Sequence, residues 1–186
     1  MAITINATSQ SNVANSYITL SDAQDLIDGL VEDEDVVAWA SATTDQKNRA
    51  LYTATQRIDR ERFLGARSTD TQALQWPRDG VRKPDTYINT YSVGFPFRIS
   101  TDYYASTEIP IQIKHAQIVL AVYLQNNKDA LGLTGLEAYR RVGVEGVAVE
   151  PYRWGPVWAN NVPPMFEKYF TGLRVSSPGN IAIRRS

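Results

Sequence analysis

Apolar residues recur at intervals of three and four along several segments of the chain, which is the spacing of one face of an α-helix. The first such segment is "SYITLSDAQDLIDGL", where Thr19 is a predicted N-cap with Asp22 three positions on. Gly29 lies near the end that the pattern predicts for this helix. A short second helix is predicted at residues 36–40, with Trp39 as its apolar anchor.

The two longest apolar patterns predict the third and fourth helices. Thr43 and Gln46 form a capping pair before "DQKNRALYTATQRIDRERF". The apolar face of this third helix is formed by Ala50, Leu51, Ala54 and Ile58. The fourth helix, "IPIQIKHAQIVLAVYLQNN", starts at Pro110 and has a broad apolar face, which predicts a place at the centre of the core.

Outside these helices the chain lacks sustained periodicity. Residues 1–16 are polar and small and predict an extended arm that is not packed by itself. Residues 81–108 predict a long aromatic loop insertion. Alternating valines from 142 to 149 predict a small β element, with Glu145–Gly146 as a bulge or a tight turn. "VPPMFEKYFTGLR" then predicts a last short helix before the tail "VSSPGNIAIRRS".

The predicted fold is therefore mainly α. It is a small bundle of about four to five helices with an aromatic loop insertion, a small β element and an extended C-terminal arm. Two parts are expected. Residues 1–138 form the helical core with its N-terminal arm and the insertion at 81–108. Residues 139–186 form the C-terminal part, with the β element, a short helix and the tail.

The residue types needed for most catalysis are scarce. The 186-residue chain has no Cys, which excludes disulfides and thiolate metal sites, and it has one His. His115 falls in the middle of the predicted fourth helix, beside Lys114. Paired carboxylates are present, but nothing selects a pair, and "EDED" (32–35) lacks the ligand pattern of a calcium loop. We expect no enzyme activity, no cofactor, no metal site and no membrane-spanning segment.

Charge is distributed unevenly although the net charge is −1. Residues 1–46 hold eight acids and no Lys or Arg, whereas the chain from Tyr139 onward holds seven bases and three acids. Copies of such a chain can attract one another head to tail. The alternative is an acidic helix and a basic tail that are both simply solvated.

The stretch "QALQWPRDG" (72–80) combines a large aromatic with a stiff proline and a cation. Two interpretations stay open. Trp76 either folds back onto the apolar face of the third helix or, with Arg78, reaches a neighbouring subunit. Basic residues between 49 and 83 are also interleaved with aromatics, as in single-strand nucleic-acid grooves. The candidate DNA contacts are Arg57, Arg60 and Arg78.

Several stretches together resemble a known family. They are "NSYITLSDAQDLID", "RALYTATQRIDR" with "QALQWPR", "IPIQIKHAQIVLAVYL" and "VGVEGVAVEPY", between residue 15 and about residue 172. They resemble the head–tail connector adaptors, or head completion proteins, of tailed phages. Sequences of this kind also carry the label DnaT-like single-stranded-DNA-binding protein. None of the stretches is a catalytic signature.

The resemblance implies a structural protein of the virion neck, assembled in the host cytoplasm. In the adaptors, a ring, usually of twelve copies, lies beneath the portal protein, genomic DNA passes through its channel, and the next neck or tail-completion protein docks below. Binding of single-stranded DNA in phage replication is the alternative. The chain departs from the usual pattern in its aromatic insertion and in "PYRWGPVWANNVPP".

Candidate interface residues follow from the exposed aromatics, the C-terminal part and the strand-like tail. They are Trp76, Arg78, Tyr87, Tyr91, Phe95, Phe97, Arg140, Arg141, Tyr152, Trp154, Trp158, Ile181, Ile183, Arg184 and Arg185.

Overall fold

The fold is mainly α, as the apolar pattern predicts. The computed structural model describes residues 3–83, 88–92, 95–99, 102–126, 139–142, 149–151 and 164–175. Its helices are α1 (Leu20–Ile27), α2 (Glu34–Ala40), α3 (Thr44–Ile58), α4 (Ile111–Asn126) and a 3-10 helix (Pro164–Phe170). Its strands form antiparallel pairs: β1 (Ala66–Arg67) with β2 (Arg78–Asp79), β3 (Ile88–Ser92) with β4 (Phe95–Ile99), and β5 (Tyr139–Val142) with β6 (Val149–Pro151).

Side-chain caps fix where the first three helices begin. The Thr19 hydroxyl accepts a hydrogen bond from the backbone N–H of Asp22 (3.1 Å), as predicted. The predicted capping box of Thr43 and Gln46 is present at the start of α3. Helix α2 begins two residues before its predicted start, because the carboxylate of Asp33 accepts from the N–H of Val36 and supplies the N-cap.

Helix α4 is the centre of the bundle, as its broad apolar face predicts. It packs against α1, α2, α3 and the 3-10 helix. Eight of its side chains are buried, which leaves little of its circumference for solvent. The buried set is Ile113, Ala116, Gln117, Ile118, Leu120, Ala121, Val122 and Leu124. None of the helices in the described part of the chain combines the length and hydropathy needed to cross a bilayer.

The aromatic insertion is not wholly loop, so that prediction is wrong for ten of its residues. Strands β3 and β4 pair antiparallel there, with Ile88 opposite Ile99 and Ser92 opposite Phe95. A separate antiparallel bridge joins Arg82 to Tyr103. β-branched and aromatic residues favour extended backbone, and pairing satisfies its N–H and C=O groups. Prolines and a glycine interrupt the alternation of apolar and polar residues in this stretch, so the sequence pattern did not indicate the strands.

The small β element predicted near residues 142–149 is confirmed by β5 and β6. Val142 lies opposite Val149, and the register shifts between Tyr139 and Arg141. The predicted bulge or turn at Glu145–Gly146 lies outside the described residues. The pair β1–β2 was not predicted. It is two residues long on each side, too short for an alternating pattern to register in sequence.

The N-terminal residues 3–16 pack on the bundle, which corrects the prediction of an arm not packed by itself. Asn15 holds this segment in a loop, because its side chain accepts from the N–H of Asn6 (2.8 Å) and donates to the C=O of Thr4 (2.9 Å). Asn48 of α3 donates to the C=O of Ile3 (2.8 Å). Short amide side chains bond nearby backbone groups in this way, and polarity alone is therefore a poor sign of a free arm.

The described C-terminal residues 164–175 share the core of the bundle. Phe166, Phe170 and Leu173 are buried, and the predicted last helix is the 3-10 helix. The N–H of Leu64 donates to the C=O of Leu173 (2.9 Å), which ties this segment to the chain just beyond α3. The division at residue 138 stays a prediction, but the core of the first part includes this piece of the second.

Two glycines next to the β1–β2 pair allow a matched test of this packing. Gly65 (φ +71°) and Gly80 (φ +74°) both have left-handed backbone. A Cβ at Gly65 would lie 2.1 Å from the carbonyl oxygen of Asp79, whereas a Cβ at Gly80 would meet nothing within 4 Å. We expect Gly80→Ala to lower the free energy of unfolding by about 1–2 kcal/mol through backbone strain alone. Gly65→Ala adds the clash and should lower it by at least about 2 kcal/mol more.

Urea unfolding of the two variants and the native chain measures this difference. Equal losses of stability for the two alanine variants would show that a side chain at position 65 is tolerated. The packing of Gly65 against Asp79 would then be looser than described.

Candidate functional site

The segments that carry the family resemblance meet in one set of buried or half-buried polar side chains. We call this set the motif network. Its members are Ser16, Tyr17, Asp59, Gln75, Arg78 and Gln117. They come from "NSY", from the end of α3, from "QALQWPR" and from α4, so the network joins four parts of the sequence.

Gln117 connects α4 to the N-terminal segment and to α3. Its amide nitrogen donates to the Ser16 hydroxyl (2.6 Å) and to the C=O of Leu51 (3.2 Å). Its amide oxygen accepts from the backbone N–H of Tyr17 (3.0 Å). Gln117 is fully buried, and a buried amide stabilises a fold when its donors and acceptor are used in this way.

Tyr17 and Asp59 connect the same segment to the end of α3. The Tyr17 hydroxyl donates to the Asp59 carboxylate, and the same carboxylate oxygen accepts from the N–H of Gln75 (3.2 Å). Burial raises the pKa of Tyr17 well above its usual value, and the charge of Asp59 raises it further. Burial also raises the pKa of Asp59, and its hydrogen bond from Tyr17 opposes that shift. The pair therefore joins the N-terminal segment to the end of α3 and to Gln75.

Arg78 binds the backbone just after α3. Its guanidinium donates five hydrogen bonds, and among their acceptors are the C=O groups of Leu64 (2.7 Å) and Gly65 (2.7 Å) and the side chain of Gln75 (2.7 Å). These use every donor that an arginine has. Burial and the neighbouring charge of Arg67 lower the pKa of Arg78 below its usual range. Arg78 therefore fixes the turn between α3 and β1.

Trp76 lies in the interior, so of its two interpretations the structure has the one that turns inward. Its side chain is 2% exposed and packs edge-on against Phe63 (centroids 5.6 Å apart) and Tyr104 (6.2 Å). Phe63 in turn packs against Phe170 (5.8 Å). The Trp76–Pro77 peptide bond is cis.

This placement weighs against the interface and DNA roles considered for Trp76 and Arg78, which stay predictions. Arg78 is 8% exposed, and its donors are all used by backbone carbonyls and Gln75. Both side chains are buried within the subunit. Trp and Arg suit an aromatic core and a cluster of backbone carbonyls as well as they suit an interface. The sequence alone does not show which of these environments the two residues occupy.

The other two candidate DNA contacts lie at the end of α3. Arg57 is half-buried on the helix, and Arg60 is exposed just beyond it. Arg62 and Arg67, both exposed, continue the basic stretch. A role of Arg57 and Arg60 in DNA binding stays a prediction.

An exposed aromatic–cation pair lies near the base of the insertion and was not among the predicted sites. Tyr103 is 49% exposed, and the guanidinium of Arg82 lies 5.7 Å from its ring centroid. Arg82 Nε also donates to the Tyr103 hydroxyl (3.2 Å). The two residues are 21 positions apart, so the pairing depends on the antiparallel bridge between them and has no local sequence signal.

The remaining predicted interface residues lie on strands or outside the described residues. Tyr91, Phe95 and Phe97 are on β3 and β4, and Arg140 and Arg141 are on β5. The following lie outside the described residues: Tyr87, Tyr152, Trp154, Trp158, Ile181, Ile183, Arg184 and Arg185. Their roles stay predictions.

A surface depression of about 170 Å³ lies beside the N-terminal segment. The residues that line it are Ala7, Ser9, Tyr17, Ile18, Thr19, Asp22, Thr107, Ile109 and Lys114. Typical ligand pockets are larger, about 300–1,000 Å³. Among the described residues, no group of three or more His, Cys, Asp or Glu side chains is arranged to hold a metal ion.

A family model described as "Putative DnaT-like ssDNA binding protein" matches residues 1–153. The chain belongs to this DnaT-like family. Comparison with curated proteins and with solved structures found no match. The family match agrees with one of the two labels that the sequence resemblance carries, and it does not bear on the head–tail connector label.

All six members of the motif network lie within the part that matches the DnaT-like family. The sequence held a signal for one member. Gln117 falls four residues after Ile113 and three before Leu120, in the middle of the apolar face of α4, and a polar residue there needs a buried partner. Its partners Ser16, Tyr17 and Leu51 were not predictable, because each is far away in sequence.

The raised pKa of Asp59 makes a pH-dependent prediction. Because the folded pKa lies above the unfolded value, the folded chain keeps a proton where the unfolded chain has lost it. This contribution makes the free energy of unfolding fall as the pH rises from about 4 through the folded pKa. Asp59→Asn keeps an acceptor for Tyr17 and Gln75 but cannot ionise. We expect D59N to lack this fall, so its stability relative to the native chain increases between about pH 4 and pH 7.

Urea unfolding at several pH values measures the effect, with Asp25→Asn, at an exposed position of α1, as the matched control. Parallel curves for D59N and the native chain over this range would contradict a raised pKa at Asp59.

Proposed function

We propose that this DnaT-like family member is a structural virion protein, a head-to-tail adaptor whose copies form a ring beneath the portal. The ring lines the DNA channel and gives the next neck or tail protein its docking surface. The proposal rests on the sequence resemblance together with one structural observation, the burial of the motif network.

The side chains of the most specific family stretches are largely buried inside the subunit. Trp76 and Arg78 are the aromatic and the cation that a nucleic-acid groove in "QALQWPR" would need, and they are 2% and 8% exposed. A single-strand binder instead presents aromatics and cations on one accessible surface. Family stretches whose side chains hold one rigid subunit together favour a protein that functions by assembling with other subunits. The net charge of −1 also favours weak contact with DNA.

In this proposal the C-terminal residues beyond 175 contact the portal. Residues 164–175 belong to the core, so truncation after Ser176 leaves every described residue in place. The isoleucines and arginines of "IAIRRS" suit addition to the sheet edge of a partner. The basic ends of several copies would meet acidic groups on the portal.

Assembly with the portal protein of the same phage tests the proposal. We expect native mass spectrometry and electron microscopy to show a closed ring of this chain on the portal. Truncation after Ser176 should leave the melting temperature nearly unchanged and abolish binding to the portal. Only two-fold dimers, or no complex with the portal at all, would contradict the adaptor role.

A second candidate function is binding of single-stranded DNA, which the family description names. The structural observation in its favour is the exposed Tyr103–Arg82 pair, since an aromatic face beside a guanidinium can stack a base and contact a phosphate. Against it, Asp102 is exposed next to Tyr103.

Fluorescence anisotropy with a labelled single strand and a duplex of equal length separates the two functions. For the adaptor we expect weak binding without strand preference that falls steeply with salt. A single-strand binder would have a sub-micromolar Kd at physiological salt, and Tyr103→Leu or Arg82→Gln would weaken it by about 1–3 kcal/mol. Arg49→Gln, which also removes an exposed arginine, is the matched control.

A further inference from the structure

Helices α3 and α4 give the subunit two distinct ends. Gln117 meets Leu51 near the middle of both helices. At the start of α4, the Tyr104 hydroxyl lies 3.5 Å from Gln112, and Tyr104 packs on Trp76 beside the residues that follow α3. At the finish of α4, Asn126 donates to Asp35 of α2 (2.7 Å). The helices are therefore antiparallel, and the ends lie about 20 Å apart at 1.5 Å per residue.

The first end, which we call the acidic end, consists of residues 25–37. The sequence of this stretch contains six acidic residues and no Lys or Arg. They are Asp25, Asp28, Glu32, Asp33, Glu34 and Asp35. The nearest bases in sequence are Lys47, whose Nζ donates to Gln24 of α1 (3.3 Å), and Arg49, which pairs with Asp45 (2.8 Å). Four apolar side chains are exposed in the same stretch, namely Leu26 (37%), Leu30 (41%), Val31 (87%) and Val37 (51%).

The second end, which we call the basic end, consists of residues 60–67 with 174–175. Arg60, Arg62 and Arg67 are exposed there, and Arg174 pairs with Glu61 (3.2 Å). The N–H of Val175 donates to the C=O of Arg62 (2.8 Å), which joins the two segments. Asp79, on β2, is the exposed acid opposite Ala66 of β1.

Apolar side chains are exposed at the basic end as well. They are Leu64 (39%) and Val175 (46%). Each end therefore combines exposed apolar surface with an excess of one charge, and the signs of the excess are opposite. Scattered exposed apolar residues are ordinary, but a group of them inside a field of one charge is typical of a contact surface.

We infer that the acidic end of one copy docks on the basic end of a second copy of this chain. The apolar residues of the two ends form the centre of the contact, and the carboxylates and guanidiniums form its charged rim. The opposite charges steer the two ends together and disfavour contacts between like ends. Because the two surfaces differ, the contact is heterologous and repeats from copy to copy.

The inference rests on the proposed function only for closure into a ring, because a heterologous contact can also propagate as an open filament. The contact itself stands on the charges and exposed apolar residues of the two ends.

Cysteine crosslinking tests the contact, and the absence of native cysteines makes it clean. Val31→Cys and Val175→Cys label the two ends. We expect an oxidised mixture of V31C and V175C chains to form disulfide dimers at least about ten-fold faster than a mixture of V31C with Ala40→Cys. Residue 40 is also exposed but lies at the other end of α2 from most of the acidic residues. Equal rates in the two mixtures would overturn the inference.

Charge reversal gives a second measurement that does not depend on where a crosslink falls. One variant carries Asp25→Lys with Glu32→Lys, and the other carries Arg62→Glu with Arg67→Glu. The first variant has an acidic end of reduced charge, and the second has two acidic ends, so each should associate with itself less in sedimentation velocity at low salt. An equimolar mixture retains one native acidic end and one native basic end, and it should recover association. Failure of the mixture to recover association would also overturn the inference.

These outcomes are distinguishable from those of the proposed function. Crosslinked dimers without a ring on the portal would leave the contact standing and remove the adaptor role. A ring on the portal that forms without the V31C–V175C crosslink would leave the adaptor role standing and remove this contact. Loss of single-strand binding in the Arg62–Arg67 variant, with self-association unchanged, would assign the basic end to nucleic acid instead.

Discussion

The buried amide of Gln117 is the interaction on which the arrangement of the bundle depends. It lies on the one helix that contacts all the other helices of the described part, and it bonds both α3 and the segment that precedes α1. Apolar packing alone is non-directional and leaves the relative position of helices loosely defined. A buried amide must have its partners satisfied, so it selects one position of α4 relative to Leu51 and Ser16. The network then extends from Tyr17 through Asp59 to Gln75 and Arg78.

Local features of the fold were predictable, because they depend on interactions between residues close in sequence. Caps at Thr19 and Thr43 and the apolar faces of α3 and α4 follow from spacings of three and four residues, and the structure has them. The bridge between Arg82 and Tyr103 and the packed N-terminal segment were not predicted. Their backbone groups are satisfied by partners such as Tyr103 for Arg82 and Asn48 for Ile3, which are more than twenty residues away. A sequence pattern read in a short window does not contain such pairings.

The same limit applies to the candidate site. Trp and Arg are the residue types that interfaces use most, but they are also the types that fill an aromatic core and bind several carbonyls at once. In "QALQWPRDG" the deciding facts are the ring of Phe63 and the carbonyls of Leu64 and Gly65. These come from the turn after α3, and no property of the nonapeptide itself reveals them. The acidic end, in contrast, was visible in the sequence as an acidic first part. The basic end was not, because Arg60, Arg62 and Arg67 lie outside the basic C-terminal part that the sequence indicated.

The family resemblance rests on residues of the interior and not on residues at the two ends of the subunit. The stretches that make the chain recognisable are largely used by the core, where Asp59, Arg78 and Gln117 each have several partners and little freedom to change. A resemblance built on such residues specifies a subunit shape, and one shape can serve more than one function. The residues that would distinguish an assembly protein from a nucleic-acid binder lie on the surface, at Val31 and Val175 on the two ends or at Tyr103 beside Arg82. The function of this chain therefore depends on the surfaces at its two ends and at its insertion. The fold sets the distance between those surfaces and the charge around each of them.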